Sequence, residues 1–95
     1  MISIVIPTFN EVKNIIPLLK NLTVLISNFE YEIIVVDDDS PDGTSDEVNK
    51  YMKFNNRIKL IKRFGRSGLS SAIKEGLIFA QGKYTLVLDG DGQHH

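Results

Sequence analysis

The chain has 95 residues, and its eleven basic and twelve acidic side chains give a net charge of -1 and room for a single hydrophobic core. A nucleic-acid binder would carry a basic excess, and a hydrophobic fraction of 42% with 24% charged residues belongs to a folded chain, not a disordered one. Cysteine is absent, which excludes disulfides and thiolate metal sites and fits a reducing compartment.

The apolar opening, Met1 to Ile6, stops at Pro7 and lacks a basic flank. It is too short for a signal peptide or a membrane span, so it reads as a buried strand over 2–6. As given, the chain is expected to be soluble and cytoplasmic. Any attachment to the cytoplasmic face of a membrane would lie in sequence beyond it. Next comes a helix-period segment carrying Ile15, Leu18, Leu19, Leu22, Leu25, Ile26 and Phe29, with Pro17 early enough to be tolerated. A second strand is expected over 32–37, nearly continuous in Ile and Val as in strands covered on both faces. Thr44-Ser45-Asp46-Glu47 has the form of a capping box and opens a helix with Val48, Tyr51 and Met52 on one face. A third strand follows at 57–61. A third helix runs over about 70–81, with Leu69, Ala72, Ile73, Gly76, Leu77 and Ala80 facing inward and Gly82 as its stop. The last strand is placed at 84–88. The β-α-β-α-β-α-β order predicts a single α/β domain over 1–95, a Rossmann-like three-layer α/β/α fold with a mostly parallel sheet.

In such sheets ligands bind beyond the carboxyl ends of the strands, and there the polar residues gather. Asp89-Gly90-Asp91 follows the fourth strand. Two carboxylates one residue apart can converge on Mg2+ or Mn2+, with Gln93 as a further oxygen and His94 as a nitrogen; the same residues also make an ordinary turn. Asp37-Asp38-Asp39 follows the second strand. Asp37 and Asp38, nearest the strand end, are expected to contact ligand, for instance the N–H edge of a nucleobase. Asp39 and Asp42 are expected to form a solvated turn and cap the second helix. Thr8 and Glu11 are placed to line a nucleoside pocket, although Asn10 and Glu11 also suit the start of the first helix. The Gly65–Ser71 loop opens a helix, and Arg63 and Arg66 are candidates for phosphate contact there, with tight helix packing the plainer role for its glycines. The loop is neither a Walker motif nor a dinucleotide fingerprint. Asn21-Leu22-Thr23 matches a glycosylation sequon but falls inside a helix, and nothing around His94 and His95 has zinc spacing.

Taken together and in order, these segments resemble the family 2 glycosyltransferases of the GT-A fold. Ile4-Val5-Ile6-Pro7-Thr8-Phe9-Asn10-Glu11 is similar to the family's first strand and nucleoside turn, and Leu88-Asp89-Gly90-Asp91-Gly92-Gln93-His94 to its metal-binding segment. Arg66-Ser67-Gly68-Leu69-Ser70-Ser71-Ala72 resembles its glycine-rich helix start. The run from Glu32 through Asp37-Asp38-Asp39-Ser40-Pro41-Asp42-Gly43-Thr44 resembles the dolichyl-phosphate mannose synthase branch in particular. Asp39, Ser70, Gly90 and Gly92 depart from the usual residues. The resemblance implies nucleotide-sugar contacts from Pro7, Thr8, Asn10, Glu11, Val36, Asp37, Asp38, Arg66, Gly68, Asp89 and Gly90. It also implies metal ligation by Asp89, Asp91 and Gln93, with Asp89 and Asp91 catalytic.

By the same resemblance, GDP-mannose is the favoured donor, UDP-glucose the second, and a polyprenyl phosphate the acceptor. Family members continue past the Asp-x-Asp segment, so the chain is expected to be a donor-binding half with little transferase activity, and either to associate with a second copy through an exposed sheet edge or to be marginally stable. Three other folds or roles draw on similar residues. A signalling receiver domain would place its acidic pair after the first strand, and a nucleotidyltransferase a basic glycine-rich loop there, where this chain has Pro-Thr-Phe-Asn-Glu. A non-catalytic nucleotide-binding module is compatible with the same residues.

Overall fold

The structure, a computed structural model, describes residues 1–65 and 68–89. Four strands alternate with three helices: β1 (Ile2–Thr8), α1 (Ile15–Leu25), β2 (Tyr31–Asp37), α2 (Thr44–Met52), β3 (Ile58–Lys62), α3 (Leu69–Phe79) and β4 (Tyr84–Val87). All pairings are parallel, in the order β3-β2-β1-β4. β2 is buried along all seven residues, which is why its sequence is nearly unbroken Ile and Val.

Successive side chains of the central strands point to opposite faces, and each face has its own helices. Ile4, Ile6, Ile33, Val35 and Ile58 pack with Ile15, Leu19 and Leu22 of α1 and Val48 of α2. Val5, Ile34 and Val36 pack on the other side with Ala72 of α3. The chain steps outward from β1 to β3 with α1 and α2 on one face. It then returns past β1 to β4 with α3 on the other, as right-handed crossovers in opposite directions require. This is the expected three-layer α/β/α arrangement. No described helix is long and apolar enough to cross a membrane.

Two glycines set how closely the layers approach. A Cβ on Gly76 would drive into the Val5 side chain and lie 3.2 Å from Val36, so α3 rests on the sheet only with glycine there. A Cβ on Gly82 would fall 2.5 Å from Ser3 Oγ and 2.8 Å from Met1 O. Gly82 is therefore not the helix stop. α3 ends one turn earlier, its C-cap Ala80 already extended, and Gly82 packs against the start of β1, donating its N–H to Ser3 Oγ at 2.7 Å.

The helical stripes are shorter than their periodicity suggests. α1 stops at Leu25, which is 75% exposed, and Phe29 lies beyond it at 56%. On α3, Leu69 and Leu77 are exposed instead of inward-facing. Ile78, Phe79, Tyr84 and Leu86 are exposed as well, so the outer side of α3 and the β4 edge present apolar surface. The capping box is also not formed. Gly43 is the N-cap of α2 and makes no side-chain cap, while Asp42 Oδ1 accepts from the Thr44 N–H at 3.0 Å.

Candidate functional site

The direction of the chain reverses between β1 and β4, and a parallel sheet opens a crevice at such a point, beyond its strand ends. A cleft of about 360 Å3 lies there. β1 contributes Pro7 and Thr8, and the turn after it Phe9 and Glu11. Asp38 enters from the end of β2, Asp89 from the end of β4, and Gly68, Leu69 and Ala72 from the start of α3. Six residues expected at a nucleotide-sugar site, Pro7, Thr8, Glu11, Asp38, Gly68 and Asp89, thus line one cavity.

The residues around this cleft are held by a dense set of bonds between the two loops that follow β1 and β2. Asp37 and Thr8 are register partners, and Thr8 Oγ1 donates to Asp37 Oδ1 at 2.7 Å. Ser40 donates to the same carboxylate through its hydroxyl at 2.6 Å and its N–H at 3.0 Å. Three successive backbone N–H groups of the first loop then end on side chains of the second. The N–H of Asn10 donates to Ser40 Oγ at 2.9 Å, that of Glu11 to Thr44 Oγ1 at 3.0 Å, and that of Val12 to Asp42 Oδ2 at 3.1 Å. Burial raises the Asp42 carboxyl, but hydrogen bonds from Thr44 and Val12 outweigh it and hold it below the usual carboxylate range. The Ser-Pro-Asp-Gly-Thr segment is thus a template that fixes the turn carrying Phe9 and Glu11. Asn10 and Asp39 take left-handed backbone angles, φ 55 and 54, which their short polar side chains tolerate.

Several expected contacts lie elsewhere. Asp37 is fully buried and its carboxylate is occupied by Thr8 and Ser40, so it builds the corner without facing the cleft. The Val36 side chain is in the core under α3. Asn10 is exposed outside the cleft lining and does not cap α1, whose N-cap is Asn14. Arg63 cannot meet a phosphate from solvent, because it is fully buried and bonded to Asp38 at 2.6 Å and Ser71 at 2.8 Å. Arg66, Gly90, Asp91 and Gln93 lie outside the described residues. Sequence reasoning gave no cleft role to Phe9, Leu69 and Ala72. Phe9, an exposed aromatic directly after a buried strand, was the available signal, and Leu69 and Ala72 share a helix face at i, i+3.

The cleft's charge bears on what it can bind. Glu11, Asp38 and Asp89 are acidic, and none of the described residues lining the cleft is basic. A diphosphate entering such a lining is repelled unless a cation accompanies it. Asp89, an oxygen donor in the lining, fits a hard divalent ion. No three His, Cys, Asp or Glu side chains converge on a metal position among the described residues, and Asp91 is not among them.

The model of glycosyl transferase family 2 matches residues 3–95. The chain belongs to this family. Its relatives within family 2 include the dolichol-phosphate mannosyltransferases of Pyrococcus furiosus, 39% identical over 98% of this chain, and of Saccharomyces cerevisiae, 36% identical over 97%. A dolichyl-phosphate beta-glucosyltransferase of Dictyostelium discoideum is 31% identical over 96%. The chain spans between 26% and 36% of the length of these relatives. Among solved structures, the mannosyltransferase PcManGT from Pyrobaculum calidifontis, in complex with GDP-Man and Mn2+, superposes with a TM-score of 0.85 at 26% identity, over 97% of this chain and 28% of that one. TarS of S. aureus in complex with UDP-GlcNAc gives 0.82 at 33% identity, over 95% and 26%. The sheet and its helices are those of GT-A family 2 glycosyltransferases.

Proposed function

We propose that this chain is the nucleotide-sugar-binding part of an inverting glycosyltransferase that transfers a hexose, mannose before glucose, from a nucleoside diphosphate to a polyprenyl phosphate. The observation that carries the reading is the shared cleft, where Asp38 and Asp89 from separate strands meet the Pro7 to Glu11 turn at the carboxyl edge of the sheet. Relatives named as dolichol-phosphate mannosyltransferases and a structural neighbour holding GDP-Man favour GDP-mannose as donor. The glucosyltransferase relative and a UDP-GlcNAc complex keep UDP-glucose second.

In this reading Asp38 receives N–H donors of the base, and Phe9, Leu69 and Ala72 exclude water from the nucleoside. Asp89, with Asp91 and Gln93, would hold Mg2+ or Mn2+, which when bound supplies the positive charge that offsets the departing diphosphate. Transfer is a single in-line displacement. The acceptor oxygen forms its bond to the anomeric carbon as the bond to the diphosphate breaks, and the electron pair leaves with the diphosphate. A phosphate acceptor is already anionic near neutral pH, so no strong general base is required, and positioning carries much of the work.

Calorimetry with GDP, UDP and their mannose and glucose conjugates, with and without Mn2+, tests this. Binding that needs the metal and favours the guanosine ligands is expected. Metal-independent binding, or binding indifferent to the nucleotide, overturns the proposal.

A further inference from the structure

The fold buries an arginine behind the cleft. Arg63 follows β3 directly, its backbone N–H donates to Asp37 O at 2.8 Å, and its side chain is wholly enclosed. Nε donates to Asp38 Oδ1 at 2.6 Å, and Nη1 donates to Ser71 Oγ at 2.8 Å and lies 3.8 Å from Glu75 Oε1. Nη2 has no hydrogen-bond partner among the described residues. Burying a guanidinium is costly, and leaving one of its N–H groups unbonded adds to that cost. The fold tolerates this where the cation braces a carboxylate of the cleft lining.

The second oxygen of Asp38 is fixed as well, accepting from the Gly68 N–H at 3.2 Å. Each carboxylate oxygen has about two acceptor sites, so one on Oδ1 and one on Oδ2 remain for a ligand. A carboxylate locked on both oxygens in this way offers two acceptors side by side. The edge of guanine presents two donors with matching spacing, a ring N–H and an exocyclic amino group, whereas uracil presents one.

We propose that Arg63 is a positioning residue for base recognition, holding Asp38 so that its carboxylate takes both donors of a guanine edge. This rests on the nucleotide-site reading above and deepens it. Arg63 acts through Asp38 and touches no substrate.

The test measures Mn2+-dependent binding of GDP, UDP and inosine diphosphate, which lacks the exocyclic amino group. The proteins are the parent chain, Arg63→Lys, Asp38→Asn and the double variant. The parent should prefer GDP to inosine diphosphate. Arg63→Lys should lower GDP affinity about tenfold and that for inosine diphosphate by less, because inosine keeps the ring N–H contact with Asp38 but has no amino contact to lose. In the Asp38→Asn background the Arg63 change should add nothing further. Proportional loss for every nucleotide, or no loss, would show that Arg63 serves only the fold. A parent chain that binds no nucleotide would instead overturn the site reading itself, and one that binds UDP more tightly than GDP would overturn the guanine assignment. If Arg63→Lys does not fold, the exposed Ser71→Ala decides the matter. It should lower the ratio of GDP to inosine diphosphate affinity about two- to threefold, since it loosens one arm of the guanidinium. An unchanged ratio overturns the inference.

Discussion

Replacing Glu32 by glutamine should destabilise the fold measurably, although Glu32 lies at the end of the sheet away from the cleft. Its carboxylate is 2% exposed and accepts from Ser3 Oγ at 2.6 Å, the Gln81 N–H at 2.6 Å and Lys59 Nζ at 2.8 Å. Three donors from β1, β3 and the segment after α3 therefore converge on two oxygens. Glutamine can keep its one oxygen toward Ser3 and Gln81, but it accepts from them as a neutral group and turns its amino group toward Lys59. The Lys59 contact is discounted because that side chain is 49% exposed. Weakening the two charge-assisted bonds from Ser3 and Gln81 to neutral ones costs about 1–2 kcal/mol, a sizeable share of the roughly 5–15 kcal/mol a domain possesses. With a urea m-value of about 1–1.5 kcal/mol/M at this size, the unfolding midpoint should fall by roughly 1 M. The effect should also depend on pH. Burial raises the Glu32 carboxyl, but Lys59, Ser3 and Gln81 outweigh it and bring it below its ordinary value of 4.5. A carboxyl depressed in the folded state stabilises fully above its unfolded value and loses that contribution as pH falls through the folded one. The gap between parent and variant should thus be complete above about pH 5.5 and close in more acidic solution. Equal midpoints at neutral pH, or a gap that widens on acidification, would refute the reasoning.

Gly76→Ala forces a methyl group into Val5 and should cost about 1–3 kcal/mol by thermal or urea unfolding, since neither α3 nor the sheet can recede freely. Asp42→Ala removes acceptors from the Val12 and Thr44 N–H groups, loosening the turn that carries Glu11. It should lower the urea midpoint slightly and nucleotide affinity several-fold, read by urea unfolding and calorimetry. Asp89→Asn should abolish the Mn2+ dependence of nucleotide binding, read by calorimetry. Retained metal dependence would remove Asp89 from the site.

The order of elements could be read from periodicity because the core enforces it. A strand covered on both faces must be apolar throughout, as β2 is, and a helix on one face must repeat every three or four residues, as Ile15, Leu19 and Leu22 do. Where the pattern outran the structure, no described element covers it. Leu25, Phe29 and Leu77 continue their stripes to the exposed surface, and Leu69 turns to the cleft. The acidic residues at the strand ends could be located because a parallel sheet aligns those ends. Which of them faces the cleft could not. Asp37 and Asp38 are adjacent in sequence, yet one is occupied by Thr8 and Ser40 and the other turns to the cleft. Contacts far apart in sequence set that division, Thr8 to Asp37 across 29 residues, as they set the placement of Gly82 against Ser3 across 79 and the enclosure of Arg63 behind Asp38 across 25.

Nuclear magnetic resonance on the isotopically labelled chain with GDP-mannose, using Mg2+ and then Mn2+, tests the location of the site most directly. The account predicts that amide signals of Thr8, Phe9, Glu11, Asp38, Leu69 and Asp89 shift with Mg2+ and that those nearest Asp89 broaden most when paramagnetic Mn2+ replaces it. Shifts confined to the opposite end of the sheet, around Ser3, Glu32 and Gln81, or broadening that leaves Asp89 untouched, would contradict it.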